Sequence, residues 1–190
     1  MAASRFSSQE SLLSGKYKIS SHNALSVFEL EKLLYTGKIV KQHADEVWPN
    51  LYLGDQDIAA NKGELLRLNI THILNACHSR FRGGEDYYKG MVISYMGIEA
   101  HDSEIFDMSI HFYPAADFIH KALRGRGKIL VHCAMGVSRS ATLVLAYLMI
   151  HHNMTLVEAI TTVKERRGII PNRGFLRQLL NLDKSLHNVY

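Results

Sequence analysis

Cys133 and Arg139 lie close together in the chain and are the residue types best suited to covalent chemistry at phosphorus. Both belong to the segment HCAMGVSRS, which follows an apolar run at 129–131. A thiolate is a strong nucleophile. An arginine guanidinium is a planar fork that can bind two oxygens of a phosphoryl group. The pair therefore predicts a nucleophile and a phosphate ligand in one loop.

The loop between these residues is expected to bind an anion. It follows a buried strand and opens a helix, so its backbone amides can converge on one point where the helix dipole adds positive potential. Gly136 allows the backbone to turn those amides inward, and the same field favours the thiolate form of Cys133. The predicted phosphate ligands are Ala134, Met135, Gly136, Val137, Ser138 and Arg139.

Two neighbours are expected to support the loop. The Ser140 hydroxyl can donate to the sulfur and so stabilise it as nucleophile and as leaving group, while His132 can fix the loop through backbone contacts. The alternative is that Cys133 is a buried small apolar residue and Arg139 a surface helix residue. The strand, glycine and helix signals around them favour the catalytic interpretation.

The elements that must position this loop alternate between strand and helix patterns. Thr155 and Glu158 form a predicted capping box, and Asp107 and Asn172 are predicted helix caps. The alternation, with strands buried on both faces, favours an α/β layer structure. The predicted helices cover 26–34, 59–69, 108–124, 139–150, 155–166 and 172–186, and the predicted strands cover a pair within 46–55, then 71–76, 91–98 and 128–132.

Composition limits the function classes. A chain of 190 residues, 47% hydrophobic and 21% charged, fits one globular domain. We predict a flexible N-terminal tail at 1–22 and a single domain at 23–190. The net charge of +4 without dense basic runs favours phosphorylated ligands over nucleic acid.

Cysteine content and hydropathy suggest where the protein works. Only two cysteines occur, which favours a reducing compartment: we expect the cytoplasm, with the nucleus also compatible. The longest apolar run, at 141–150, is too short to span a bilayer, so no membrane association is expected.

The segment HCAMGVSRS resembles the HCxxGxxRS signature of cysteine-based protein phosphatases. With VWPNLYLGD (47–55), NITHILNA, SYMGIEAHD and PNRGFLRQL (171–179), the chain resembles the small atypical dual-specificity phosphatases. This resemblance implies a cysteine-phosphatase fold, in which helices flank a central, mostly parallel twisted sheet. It also implies hydrolysis of phosphotyrosine and of phosphoserine or phosphothreonine in proteins through a cysteinyl-phosphate. The phosphotyrosine-only enzymes are longer and carry an N-terminal recognition loop that is not found here.

Displacement at phosphorus also needs an acid, because an alkoxide or phenoxide leaves poorly unless it is protonated. In the family this acid lies in a loop upstream of the cysteine, and Asp102 matches that position. Glu99, Glu104 and Asp107 are competing carboxylates, and the alternative for Asp102 is a solvated loop acid. Because Asp107 is explained as a helix cap and Glu99 departs from the motif, we expect Asp102 to act as general acid and base.

No metal or cofactor is expected in this chemistry. The histidines show no spacing typical of a zinc site. Some members of the superfamily place a second cysteine near the nucleophile, and Cys77 matches this arrangement as a redox partner. The alternative is that Cys77 is an ordinary buried thiol. Arg166, Arg167 and Arg173 are expected either to add positive charge near the site or to solvate the surface.

Two other function classes remain open at this point. One is a phosphoinositide or RNA 5′-phosphatase, but lipid-directed relatives often carry lysines where this loop has Ala134, Met135 and Val137. The other is a non-catalytic phosphate-binding module, which the presence of Cys133 and Arg139 disfavours. The expected partners are phosphorylated proteins; mitogen-activated protein kinases are allowed but have no specific support, since the kinase-docking domain of the larger kinase phosphatases is not found. The oligomeric state is undetermined.

Overall fold

The computed structural model describes residues 25–37, 39, 42–81 and 84–187, in which helices surround one five-stranded sheet. The strand order is β1-β2-β5-β3-β4; β1 and β2 are antiparallel and the other pairs are parallel. The predicted α/β fold with a central, mostly parallel sheet is therefore confirmed. The strands are β1 Ala44–Trp48, β2 Leu51–Gly54, β3 His72–Asn75, β4 Ser94–Gly97 and β5 Ile129–His132. The helices are α1 Val27–Leu34, α2 Gln56–Ala60, α3 Lys62–Arg67, α4 Phe112–Arg124, α5 Arg139–His152, α6 Leu156–Lys164 and α7 Arg173–His187.

Strand β5 lies at the centre of the sheet and is buried along its whole length. Ile129 and Val131 belong to the main core, which also contains residues from α4, α5, α6 and α7. Leu130 points into a second cluster with residues from α2, α3 and the 3-10 turn Gly84–Tyr88. Layers on both faces explain why β5 is a continuous apolar run rather than an alternating one.

The parallel arrangement gathers three loops at one edge of the sheet. In the parallel pairs, Asn75 is opposite both Gly97 and His132, so β3, β4 and β5 end at the same level. The chain after β5 carries Cys133, the chain after β3 carries Cys77, and the chain after β4 carries Asp102. Ligands of open parallel sheets bind at this carboxyl edge of the strands.

Several helix boundaries agree with the sequence signals. Ser26 and Glu29 form a capping box at the start of α1, and Thr155 with Glu158 forms the predicted one at the start of α6. The Asn172 side chain accepts a hydrogen bond from the Phe175 amide (2.9 Å), as predicted for the start of α7. These caps satisfy amides that the first turn of a helix leaves unpaired.

Two local predictions were wrong. The segment predicted as one helix at 59–69 is two short helices, because the Asn61 side chain accepts the Glu64 amide (3.0 Å) and starts α3 there. Asp107 does not cap α4. Its carboxylate binds the Ser109 amide (3.0 Å) in a 3-10 turn at Ser109–His111, and α4 begins only at Phe112. An aspartate readily closes such a local turn on an amide two residues ahead.

The predicted tail at 1–22 lies outside the described residues and stays a prediction. Within the described residues, no helix combines the length and apolar character needed to cross a membrane.

Candidate active site

Cys133 follows β5 directly and is 2% exposed. Its Sγ lies 3.1 Å from the Ser140 Oγ and accepts the Gly136 amide at 3.2 Å. Both groups can donate to a sulfur that carries negative charge, whether before attack or when it leaves. The structure therefore brings together the predicted nucleophile, the predicted serine and one predicted amide donor.

The loop at 134–138 turns its carbonyl groups away from Cys133. The Ala134 carbonyl accepts the Gln56 amide at 3.2 Å, and the Val137 carbonyl accepts the Ile170 amide at 2.8 Å. Because a trans peptide is planar, its N–H points opposite to its C=O, so these bonds direct the following amides into the loop. The result is a concavity lined by backbone amides, the shape that an anion site requires.

Gly136 has a backbone conformation that side chains rarely adopt, with φ of +68°. A Cβ at this position would also overlap the backbone carbonyl of Gly54 on β2. Both reasons explain the glycine, since the loop must turn sharply while packing against the neighbouring strand.

Arg139 is the first residue of α5, and its guanidinium lies between two loops. Its Nη1 donates to the Ala100 carbonyl at 3.1 Å, next to the segment that carries Asp102. Its Nε is buried and has no hydrogen-bond partner among the described residues. The Nε and Nη2 edge of the guanidinium can therefore bind two phosphoryl oxygens, the role predicted for this residue.

Asp102 is connected to the phosphate-binding loop through one of its oxygens. The Oδ1 accepts the Ser138 hydroxyl at 2.7 Å and the Asn172 side-chain amide at 2.9 Å. The Asn172 backbone amide also donates to the Ser138 Oγ at 3.1 Å. These bonds fix the orientation of the carboxyl group, and both are made by Oδ1.

The competing carboxylates have other partners. Glu99 lies 3.4 Å from Arg80, and Glu104 lies 3.7 Å from Arg177. Asp107 binds the Ser109 amide, as described above. Of the four candidates, Asp102 is the one whose described contacts join it to the Cys133 loop.

His132 is buried, and desolvation lowers its pKa to about 4. The imidazole is therefore neutral near pH 7 and cannot supply positive charge to the site. Its Nδ1 lies 3.4 Å from the Cys133 carbonyl, a long contact of the kind expected from the sequence. Its Nε2 is buried without a hydrogen-bond partner among the described residues.

Sequence reasoning missed two residues. Asn172 was predicted only as a helix cap, yet the same residue holds Asp102. The sequence left Arg167 either near the site or on the surface, and it did not predict that the side chain is fully buried and lies 2.8 Å from Asp45. No periodicity or motif distinguishes a buried arginine from an exposed one at the end of a helix. Arg166 is exposed, which agrees with the second of its two alternatives.

Cys77 is half-buried at the end of β3, next to β5. The Ala76 amide donates to the His132 carbonyl at 2.8 Å, so the two cysteines follow hydrogen-bonded neighbours on adjacent strands. A disulfide between them stays a prediction.

One group of potential metal ligands occurs among the described residues: His43, Asp55 and Asp57, whose ligand atoms lie within 4.8 Å of one another. The His43 Nδ1 lies 2.7 Å from Asp55, and this hydrogen bond raises the pKa of His43. The other Asp55 oxygen caps α2. An ion pair and a helix cap account for this group without a metal.

The sequence is similar to those of known proteins. Residues 51–185 match the family model "Dual specificity phosphatase, catalytic domain". The chain is 70% identical over 166 residues to dual specificity protein phosphatase 26 from Homo sapiens, covering 87% of this chain and 79% of the relative. The Mus musculus protein of the same name is 69% identical over the same length and with the same coverage.

The fold is also similar to that of solved structures. The crystal structure of human DUSP28 superposes with a TM-score of 0.69 at 30% sequence identity, covering 79% of this chain and 99% of that one. A mouse putative dual specificity phosphatase, complexed with zinc tungstate, gives the same TM-score and identity with 80% and 92% coverage.

Proposed function

This chain belongs to the dual specificity phosphatase family, and we propose that it hydrolyses phosphotyrosine and phosphoserine or phosphothreonine through a cysteinyl-phosphate on Cys133. It is a protein phosphatase by its catalytic domain and its relatives. The observation that carries the mechanism is the convergence of the Cys133 sulfur, the Gly136 amide and the Asp102 carboxyl on one loop.

In the first step the Cys133 thiolate attacks phosphorus and forms an S–P bond. The P–O bond to the substrate breaks, and the departing oxygen takes the proton from Asp102. The Arg139 guanidinium and the loop amides bind the non-bridging oxygens, where negative charge is concentrated in the transition state. The products are the dephosphorylated side chain and a cysteinyl-phosphate.

In the second step a water molecule attacks phosphorus and gives its proton to the Asp102 carboxylate. The S–P bond breaks and Cys133 leaves as a thiolate, to which the Ser140 hydroxyl can donate at 3.1 Å. Inorganic phosphate is released, and Asp102 is again protonated for the next cycle. All proton transfers are thus assigned to groups of this chain and to water.

The charge of the loop supports a substrate with a single phosphate. Ala134, Met135 and Val137 are neutral, and the positive charge of Arg167 is paired with Asp45 below the loop. A phosphoinositide with several phosphates needs further cations around the first one. The loop has no such group among the described residues, which favours a phosphorylated side chain over the lipid alternative.

A single assay tests this proposal. We expect hydrolysis of a phosphotyrosine peptide and of a phosphothreonine peptide. For a phosphoinositide and for a 5′-phosphorylated RNA we expect kcat/KM at least about 100-fold lower, because the neutral residues Ala134, Met135 and Val137 offer no cation to the additional phosphates of these ligands. Phosphate release measured at equal enzyme concentration gives the comparison. A higher kcat/KM for the lipid or the RNA, or no turnover of any substrate, would contradict the proposal.

Replacing Asp102 by asparagine tests the acid. The amide oxygen of asparagine can still accept from Ser138 and Asn172, but the side chain cannot deliver a proton. We expect kcat to fall on the order of 100-fold for an aryl phosphate with a weakly acidic phenol. With a strongly acidic phenol, which leaves without protonation, the loss should be small.

Glu104→Gln is the matched control, since it removes a neighbouring carboxylate of the same loop that is paired with Arg177. It should retain activity with both leaving groups. An equal loss for both phenols in Asp102→Asn would argue against proton transfer by this residue.

Other features of the function stay predictions. These are mitogen-activated protein kinases as allowed substrates, a location in the cytoplasm or nucleus, and a disulfide between Cys77 and Cys133.

A further inference from the structure

Arg167 lies in the turn after α6 and is 1% exposed, although its side chain carries a full charge. Its Nε donates to the Gly136 carbonyl at 2.9 Å and its Nη2 to the Met135 carbonyl at 3.2 Å. Its Nη1 donates to Asp45 and to the Gln42 carbonyl, both at 2.8 Å. All three nitrogens of the guanidinium are therefore bonded, two of them to the phosphate-binding loop.

The geometry of the peptide bond gives these contacts a consequence for the site. A carbonyl and the amide of the following residue belong to one planar unit and point in opposite directions. When Arg167 holds the Met135 carbonyl outward, the Gly136 amide must point inward, where it donates to the Cys133 sulfur at 3.2 Å. The bond to the Gly136 carbonyl directs the Val137 amide inward in the same way.

Arg167 also completes the set of outward bonds along the loop. The carbonyls of Ala134 and Val137 are held by backbone amides from Gln56 and Ile170. The carbonyls of Met135 and Gly136 lie between these two, and they accept their described hydrogen bonds from Arg167. Without this side chain the central peptides of the loop could rotate, and a peptide that rotates points its carbonyl dipole at the phosphate.

The chemistry of the side chain explains why arginine occupies this position. A guanidinium offers five N–H groups in a rigid plane, whereas a lysine ammonium offers three donors around one nitrogen. One ammonium cannot reach two successive loop carbonyls, the Gln42 carbonyl and the Asp45 carboxylate together. Asp45 lies on β1, so the ion pair anchors the loop to the edge of the sheet opposite β4.

We infer that Arg167 is a positioning residue for catalysis: it aims the Gly136 and Val137 amides at the cysteine thiolate and at the transferred phosphoryl group, while Asp45 fixes its guanidinium. The described bonds of Arg167 go to loop carbonyls, the Gln42 carbonyl and Asp45, and none goes to Cys133. The inference rests on the proposed function, in which these amides bind the phosphoryl oxygens.

Arg167→Lys tests the inference because it keeps the positive charge beside Asp45 and removes the fork. We expect kcat/KM for an aryl phosphate to fall about 10- to 100-fold, the scale of small misplacements in an active site. Inhibition by vanadate should weaken by a similar factor. The rate of Cys133 alkylation by iodoacetamide at a fixed pH, followed on its peptide by mass spectrometry, should fall, because the Gly136 amide no longer faces the sulfur.

Arg166→Lys is the matched control, an identical change at the exposed neighbour. It should alter none of the three quantities by more than about twofold. An Arg167→Lys protein with a lower urea midpoint but unchanged vanadate inhibition, kcat/KM and alkylation rate would overturn the inference, since a purely structural role predicts that result.

Asp45→Asn provides a second variant if Arg167→Lys does not fold. It weakens the anchor of the guanidinium and should lower both vanadate inhibition and the alkylation rate of Cys133, and unchanged values would overturn the inference. If the proposed function were wrong, the observations would differ from both of these outcomes. The wild-type protein would then hydrolyse no phosphopeptide, whereas vanadate binding and alkylation would still report on the loop.

Discussion

Cys133→Ser is expected to lower the turnover of a phosphopeptide by a factor on the order of 10⁴ or more, the scale of losing a covalent nucleophile. Such a loss corresponds to about 5 kcal/mol of transition-state stabilisation. A serine hydroxyl is not ionised near neutral pH, and the neighbouring His132 is a weak base for activating it, because desolvation lowers its pKa to about 4. The substituted oxygen is also smaller than sulfur, so the loop itself can persist.

The same variant should still bind its substrate. Arg139 and the loop amides are unchanged, so the dissociation constant for a phosphotyrosine peptide is expected to stay within about tenfold of the KM of the wild-type protein. Initial rates of phosphate release and binding of a labelled phosphopeptide measure the two effects separately.

Cys77→Ser is the matched control, since it makes the same atomic change at the second cysteine. It should retain most of the activity. Turnover by Cys133→Ser above about 1% of wild type would contradict a cysteinyl-phosphate, because no other described group of the loop could act as nucleophile at that rate.

Arg139→Ala is expected to reduce kcat/KM on the order of 10³-fold. Removing one oxyanion donor costs about 10² to 10³ in other enzymes, and this residue is placed to supply a charged fork rather than a single neutral donor. The substitution also removes the 3.1 Å bond from Nη1 to the Ala100 carbonyl, which joins the phosphate loop to the segment of Asp102. We therefore expect kcat to fall as well as substrate affinity.

Arg139→Lys tests the effect of the positive charge separately from that of the planar guanidinium. A lysine keeps the positive charge but cannot bind two oxygens in one plane. Its kcat/KM should remain at least about tenfold below wild type, with inhibition by inorganic phosphate weakened in parallel. Arg166→Ala is the control for loss of a nearby surface arginine. Full activity of the lysine variant would show that charge alone suffices at this position.

The sequence predicted the structure best where the residues involved lie close together in the chain. Cys133, Gly136, Arg139 and Ser140 lie within eight consecutive residues, and one strand-to-helix turn is enough to bring them together. Helix caps such as Thr155 are local in the same sense, since a side chain bonds an amide three residues ahead. Burial on both faces of β5 could be predicted because its apolar run is unbroken.

Where the sequence reasoning failed, alternative local bonds had comparable strength. Asn61 could either lie within a continuous helix or cap a new one with its side chain, and it caps α3. Asp107 could cap α4 or close a turn on Ser109, and it closes the turn. Such alternatives differ by about 1 kcal/mol or less, so packing of the surrounding elements decides between them.

The sequence by itself therefore predicted the chemistry of the loop: a cysteine nucleophile, converging amides and a guanidinium in one short turn. The tertiary structure decided which carboxylate serves that loop and what holds the loop in shape. Asp102 is bonded through Asn172, 70 residues away, and Arg167 reaches the Gly136 carbonyl from a distance of 31 residues. Contacts between such distant residues leave no periodicity in the chain, because they exist only once the sheet has brought its strand ends to a common edge.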